Sequence, residues 1–216
     1  MANGFIPESS LLLGIIPALI LLYLSIRQWH EKFLEKIVFL LFIFGIISGF
    51  LIAIVQSQIY FTFELLFIYP LLEQIIKVII LNLRRFQERK ETIIYGLSLG
   101  LGFGSIYPPA SLLLLSNEIY SPITLVQILL GSIGLVFLHG ITGALLGYGI
   151  YQGKLPRFYI YSVLILIIAN FIRIDYRVQW INLIFGCLLF WYVQTNIIKK
   201  EALPSGSRKR TKRNET

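Results

Sequence analysis

The sequence predicts an all-α fold, a polytopic membrane helix bundle with about seven transmembrane spans. Of the 216 residues, 56% are hydrophobic and only 14% are charged, whereas soluble domains carry about 25% charged residues. The hydrophobic residues gather into runs that can cross about 30 Å of hydrocarbon, which takes about 20 helical residues. These observations exclude a soluble enzyme or binding domain and make membrane lipid the first partner.

Seven apolar segments supply the predicted spans. In order, they are Ser10–Ile26, Ile37–Val55, Phe61–Leu83, Thr92–Leu115, Ile123–Tyr151, Phe158–Ile172 and Val178–Ile197. The first span follows MANGFIPESS, which lacks the basic stretch that opens a signal peptide, so we expect this span to be retained. Spans 2 and 3 are separated by the short polar sequence QSQ and are expected to form an antiparallel hairpin.

Glycine, proline and cysteine add detail to the later spans. Small residues spaced four apart let helix backbones approach closely in lipid. Span 4 has this spacing at Gly96, Gly100 and Gly104, and span 5 has it at Gly143 and Gly147. The Pro108–Pro109 pair is expected to break span 4 only near its outer end. Span 6 is short, and the alternatives are that it ends at the turn 173–175 or that it lies partly in the membrane interface. The single cysteine, Cys187, is interpreted as a packed apolar residue of span 7.

The basic residues predict the orientation of the bundle. Sixteen of the 19 Lys and Arg residues follow spans 1, 3, 5 and 7, which a seven-span chain places on one side of the membrane. The opposite side has only Arg173 and Arg177. The positive-inside rule then predicts an N-terminus outside and a C-terminus in the cytoplasm, in a multi-pass protein of the cell membrane.

The sequence divides into a transmembrane domain, residues 1–198, and a basic tail, residues 199–216. The tail is polar and has no apolar face, so we expect it to be disordered. Its RKRTKR cluster suits anionic lipid headgroups, and the alternative is a solvated terminus that only fixes the topology. Nucleic acid is not an expected partner of this tail.

Two ionisable residues, Glu73 and Lys77, interrupt the third span. Charged groups near the bilayer centre are costly, face protein or water, and indicate a functional site by default. Counting along the helices places Glu73 about 15 Å, and His139 of span 5 about 18 Å, from the cytoplasmic face. The two side chains are therefore expected at one level. Other candidates at this depth are Ser48–Gly49, Gly102–Ser105 and Asn170.

A carboxylate and an imidazole at one level can bind a metal ion, or can act as a general base and its partner. A catalytic zinc takes three protein ligands and one open position, and only Glu73 and His139 are suitable ligands in this layer. The remaining acidic and imidazole candidates lie on the opposite helix face or in loops: Glu64, His30, Glu118 and Asp175. The alternative is a packed polar cluster in which Glu73 and Lys77, one turn apart, neutralise each other.

The order of these features resembles the PrsW-type intramembrane metalloproteases, distant relatives of the CAAX-processing membrane proteases. The family pattern has Glu-Glu-x-x-Lys in one span, a glycine-rich Gly-Phe segment leading to Glu-Asn, a His on a glycine-containing span and a final His. This chain has EQIIK at Glu73–Lys77, GLSLGLGFGSIYPP at Gly96–Pro109 and LHGITGALLGYG around His139. The resemblance covers about Leu71 to Asn170, near half of the chain.

The resemblance implies a metal-dependent intramembrane endopeptidase with zinc as its metal. Glu73 is then a metal ligand or general base, His139 is a metal ligand, and Lys77 completes the catalytic motif as a charge-balancing neighbour. The implied substrate is a membrane-embedded or membrane-proximal peptide.

The chain departs from the family pattern at three places: Gln74 replaces the second Glu, Tyr107-Pro108 replaces Glu-Asn, and Ala169-Asn170 stands at the last His. These departures leave open a non-catalytic pseudoprotease that binds transmembrane segments or a membrane partner subunit. A third class, a solute or ion carrier that uses Glu73, Lys77 and His139 as a relay, lacks the paired broken helices of many transporters.

Overall fold

The computed structural model describes residues 11–27, 29, 33–59, 62–87, 89–115 and 121–202. Within these ranges the chain is helical and contains no strand, which confirms the all-α prediction. The helices are α1 (Leu12–Ile26), α2 (Glu35–Gln58), α3 (Leu65–Leu81), α4 (Thr92–Gly104), α5 (Tyr107–Leu115), α6 (Pro122–Tyr151), α7 (Leu155–Arg173), α8 (Ile181–Val193) and α9 (Lys199–Ala202). Some predicted features lie outside the described residues: Ser10, His30, Phe61, Glu118 and tail residues 203–216.

Four helical segments of the described chain are long and apolar enough to cross a membrane. They are α2, α6, α7 and the continuous run Ile181–Glu201 that α8 begins. Helix α1 is apolar but has 15 residues, and α3 has 17. These helices support the membrane class of the prediction, and their ends fall close to the predicted span ends.

The helix ends correct two local predictions. The sequence QSQ forms the last turn of α2 rather than a separate turn, because α2 continues to Gln58. At the other end of the chain, a π-helical turn, Gln194–Ile198, joins α8 to α9. The helical structure therefore extends to Ala202 and includes the first four residues of the predicted tail.

The fourth predicted span is two helices rather than one. Helix α4 ends at Gly104, and α5 begins at Tyr107 after a turn at Ser105-Ile106. Proline inside a helix loses a hydrogen bond and clashes with the carbonyl four residues earlier, whereas the first turn of a helix tolerates it. The break therefore places Pro108 and Pro109 in the first turn of α5, and it lies deeper than the predicted break near the outer end.

Helix α4 is the centre of the bundle, and all of its residues are buried. Its packing against α6 depends on glycine, because a Cβ at Gly96 would overlap the carbonyl of Gly143, and one at Gly147 would overlap that of Thr92. Gly100 similarly faces the backbone carbonyl of His139. The close packing that the glycine spacing predicts is thus present, and its partners are α4 and α6, which meet in a seam of backbone contacts.

The opposite face of α4 packs on α2 in the same way. A Cβ at Gly45 would overlap the carbonyl of Leu99, and a Cβ at Gly102 would overlap that of Phe42. Helices α7 and α8 pack against α6, and α3 packs mainly against α7. This arrangement brings α3 and the α4–α5 break to the same region of the bundle as His139.

Candidate functional site

Helix α3 directs its polar side chains into the bundle and its apolar side chains outward. Glu73, Gln74 and Lys77 are buried, whereas Ile75 and Ile79 on the opposite face are exposed. The exposed fraction is 64% for Ile79 and 0% for Lys77. This reversal of the usual amphipathic pattern suits a helix whose outer surface meets lipid, where polar groups must face protein.

The carboxylate of Glu73 accepts two side-chain hydrogen bonds at one oxygen. The Tyr107 hydroxyl donates to Glu73 Oε1 at 2.6 Å, and Gln56 Nε2 donates to the same atom at 3.1 Å. The other oxygen, Oε2, lies 3.9 Å from His139 Nε2. Donors from α2 and α5 therefore fix the orientation of an acidic group carried by α3.

The imidazole of His139 lies between the two charged residues of α3. Lys77 Nζ is 2.9 Å from His139 Nδ1 and 3.1 Å from Thr142 Oγ1. The donor in this contact depends on the tautomer of the ring: when Lys77 is an ammonium group it can only donate, so Nδ1 accepts and the proton of a neutral ring is on Nε2, which faces Glu73. The ring of His139 thus lies between Lys77 and Glu73, whose opposite charges also attract each other within the cluster.

Aromatic rings enclose the imidazole on both faces. The ring of Phe103 stacks on His139 with a centroid distance of 5.0 Å, and that of Tyr107 stacks with a distance of 4.9 Å. Lys77 Nζ also lies 4.9 Å from the centroid of Phe103, a cation–π contact. Phe103 belongs to α4 and Tyr107 to α5, so the two stacking rings come from the two helices that meet at the break.

A cavity of about 970 Å³ adjoins this cluster. It is lined by residues near the ends of α2, α3 and α7 and at the start of α5. Its polar lining includes Gln56, Tyr107, Asn170, Arg173 and Gln179. Because Gln56 and Tyr107 both donate to Glu73, the acidic group lies directly behind the wall of the cavity.

The structure brings together the three residues that the sequence selected, Glu73, Lys77 and His139. Asn170 also lies near this region, where it lines the cavity and donates to the carbonyl of Leu66 at 3.4 Å. Ser48 is different, because its exposed hydroxyl bonds the backbone of its own helix.

The neighbouring residue Gln74 is fully buried. Both polar atoms of its amide lack a hydrogen-bond partner within the described part of the chain. The position where the family pattern has a second Glu therefore contributes no hydrogen bond to the cluster around Glu73.

Sequence reasoning missed four contributors: Gln56, Tyr107, Thr142 and Arg173. The family resemblance marks Tyr107 only as a position where the pattern has a carboxylate. The polar sequence QSQ predicts Gln56 only as part of a turn. Thr142 lies three residues after His139, a helical spacing that places both on one face and would have identified it. Arg173 lies at the end of α7, and its guanidinium is 5.5 Å from the ring of Tyr107.

The donor set can be compared with the zinc centre that the resemblance implies. Glu73 and His139 provide two ligand types, and within the described residues no third His, Cys, Asp or Glu joins them. A catalytic zinc takes three protein ligands, and here a cationic ammonium lies 2.9 Å from one imidazole nitrogen. This set does not fit a catalytic zinc centre.

Comparison with known proteins does not assign the chain to a family. No protein-family model, curated protein or solved structure matches it. The PrsW-type resemblance stays a prediction, based on the residues around Glu73, Lys77 and His139. Any functional conclusion therefore depends on the chemistry of the site itself.

Proposed function

We propose that this chain is a non-catalytic, multi-pass membrane protein that binds a membrane-embedded or membrane-proximal peptide segment in the cavity beside Glu73. In this proposal the cluster of Glu73, His139 and Lys77 shapes and holds one wall of the binding cavity. The peptide belongs to a substrate-like ligand or to a membrane partner subunit.

The contact between Lys77 Nζ and His139 Nδ1 carries this proposal. A histidine that binds a metal commonly uses its second ring nitrogen to donate to a carboxylate, a carbonyl or water. In this site the ammonium donates to the ring, and its positive charge opposes a cation at the same imidazole. The polar groups of the cluster thus bond mainly to one another, which suits a structural role better than hydrolysis.

The cavity supports the binding half of the proposal. Its volume of about 970 Å³ lies at the upper end of the range for small-ligand sites, about 300–1,000 Å³. Apolar side chains such as Leu66 and Ile106 share the lining with amide and hydroxyl groups. This mixture suits a segment with apolar side chains and a polar backbone.

The test combines binding and turnover measurements on one purified sample. The wild-type protein in lipid nanodiscs is mixed with fluorescent apolar peptides, and binding, cleavage and bound zinc are measured in parallel. We expect saturable binding without cleavage and without stoichiometric zinc. Robust turnover by the pure protein, lost in both Glu73→Gln and His139→Ala, would contradict the non-catalytic proposal.

A second candidate is a divergent intramembrane endopeptidase of the PrsW type. The observation that favours it is the 3.9 Å approach of Glu73 Oε2 to His139 Nε2, which places an acid–base pair behind a ligand-sized cavity. In this case Glu73 is the general base or a metal ligand and His139 is a metal ligand. The same experiment separates the candidates, because only the endopeptidase cleaves the peptide.

The proposal includes seven spans in the cell membrane, with the N-terminus outside and the C-terminus in the cytoplasm. It is supported by the distribution of basic residues and by the four long apolar helices. In a Cys187→Ala background, an impermeant maleimide added to intact cells should label Arg177→Cys and should not label Lys154→Cys. The opposite labelling pattern would reverse the orientation.

A further inference from the structure

Among the described residues that line the cavity, Arg173 is the one charged side chain. Its guanidinium lies over the ring of Tyr107, 5.5 Å from the centroid. Within the described residues the side chain of Arg173 makes no ion pair and no hydrogen bond. The charge of Arg173 acts on the buried Glu73 carboxylate, but no anionic group of the described residues contacts the guanidinium directly, so its donors can pair with an anionic group in the cavity.

The position of Arg173 is unusual for the proposed topology. Basic residues concentrate on the cytoplasmic side, where 16 of the 19 Lys and Arg residues are predicted. Arg173 belongs to the opposite side, so topology does not account for it. Its planar guanidinium forms paired hydrogen bonds with carboxylates, which a lysine cannot reproduce.

Three carboxamide side chains of the lining indicate which kind of anion fits. The side-chain amide nitrogen of Gln56 donates to Glu73. That of Asn170 donates to the carbonyl of Leu66, and that of Gln179 donates to the carbonyl of Arg173. In the described part of the chain no hydrogen bond is donated to the carbonyl oxygens of these three side chains, which can therefore accept from N–H groups. A peptide backbone supplies such donors, whereas the acyl chain of a fatty acid does not.

We infer that the cavity binds the free carboxyl terminus of an apolar peptide, with Arg173 as the carboxylate-binding residue. This inference rests on the proposed function and adds its ligand chemistry. The carboxylate pairs with the Arg173 guanidinium beside the Tyr107 ring. The preceding residues then lie against the apolar lining and present N–H groups to the carboxamide oxygens.

The test uses two matched probes, an N-terminally fluorescent pentapeptide of Leu and Ala with either a free C-terminal acid or a C-terminal amide. Binding to the full-length protein in phosphatidylcholine nanodiscs is measured by fluorescence anisotropy. We expect the acid to bind at least about tenfold more tightly than the amide, as a charge-assisted pair requires. Dodecanoate serves as a competing lipid anion.

Variants of two neighbouring arginines assign the effect to the cavity. Arg173→Gln should abolish the preference for the acid, and Arg173→Lys should retain part of it because it keeps the charge. Arg177→Gln is the matched control, since Arg177 lies outside the cavity lining and contacts the ring of Tyr176. It should leave the preference unchanged, and circular dichroism establishes that each variant is folded.

Each remaining outcome is decisive. Equal binding of acid and amide by wild type overturns the carboxylate inference and leaves the proposed function standing. Failure of both peptides to bind overturns the proposed function and the inference together. If dodecanoate binds and neither peptide does, or if Arg173→Gln retains the acid preference, Arg173 is not a peptide carboxylate site.

Discussion

Replacing Tyr107 with phenylalanine removes one hydroxyl group from the centre of the site. That hydroxyl donates to Glu73 Oε1 at 2.6 Å, while the ring to which it belongs stacks on His139 at 4.9 Å. Tyr107 is only 8% exposed, so water cannot readily replace the lost donor. The change therefore isolates one hydrogen bond and leaves the aromatic packing in place.

The expected magnitude follows from what the substitution leaves behind. Glu73 Oε1 keeps the donor from Gln56 at 3.1 Å and loses the closer one. A buried polar group deprived of a partner costs about 1–3 kcal/mol, and the retained ring adds little cavity cost. We expect Tyr107→Phe to lower the free energy of unfolding by about 2 kcal/mol, about a 30-fold change in the folding equilibrium.

The measurement is reversible unfolding in mixed detergent micelles, followed by far-ultraviolet circular dichroism. Tyr159→Phe is the matched control, because Tyr159 donates to the carbonyl of Leu71 at 3.2 Å in an exposed position. It should cost less than about 0.5 kcal/mol. A double-mutant cycle of Tyr107→Phe with Glu73→Gln should show a coupling energy of about 1–2 kcal/mol.

Equal destabilisation by Tyr107→Phe and Tyr159→Phe would refute the reasoning. A coupling energy near zero between Tyr107 and Glu73 would refute it as well. In either case the hydroxyl would not orient the carboxylate, and the proposed cavity wall would lose its main support.

Three further substitutions test the packing around the site, each by the same unfolding measurement. Gly100→Ala should cost about 1–3 kcal/mol because its Cβ meets backbone, whereas the Cβ of Gly140→Ala meets only side-chain atoms, those of Leu101 and Leu97, and should cost clearly less; equal costs would contradict the seam. Lys77→Met should cost about 3–5 kcal/mol by leaving the buried carboxylate unbalanced, and adding Glu73→Gln should recover part of this loss; strictly additive costs would count against a shared network. Ser121→Ala should cost about 1 kcal/mol, because the Ser121 side chain caps the N-terminus of α6, and no change would exclude that role.

The sequence predicted the helices well because lipid imposes a strict length and polarity rule on each of them. The predicted span Thr92–Leu115 nevertheless contains a helix break. A hydropathy pattern gives the length of an apolar segment, but it does not show whether the helix is continuous. The proline pair Pro108–Pro109 predicts a break of the helix, but only near the outer end of the span. In the structure the helix ends at Gly104, and both prolines lie in the first turn of α5, where a missing N–H costs least.

Within the site, the success and the omissions have one explanation. Glu73 and His139 could be matched by counting residues from a membrane surface, because depth is a property of each helix alone. Gln56 and Arg173 lie near helix ends, where their partners depend on how separate helices pack. That packing depends on glycine seams whose pairing a single sequence does not specify.

The backbone seam between α4 and α6 divides the site into a fixed part and a movable part. Helices α4 and α6 are in backbone contact at Gly96, Gly100 and Gly143. A carbonyl oxygen of one helix occupies the place where a Cβ would lie on the other, so we expect the two helices not to slide past one another. We therefore expect any opening of the cavity to move α3, which carries Glu73, relative to a stationary His139. When peptide binds, spin-label distances should change between α3 and α6 and stay constant between α4 and α6. Glu73 would then move relative to His139, and the two residues would not form one rigid cluster.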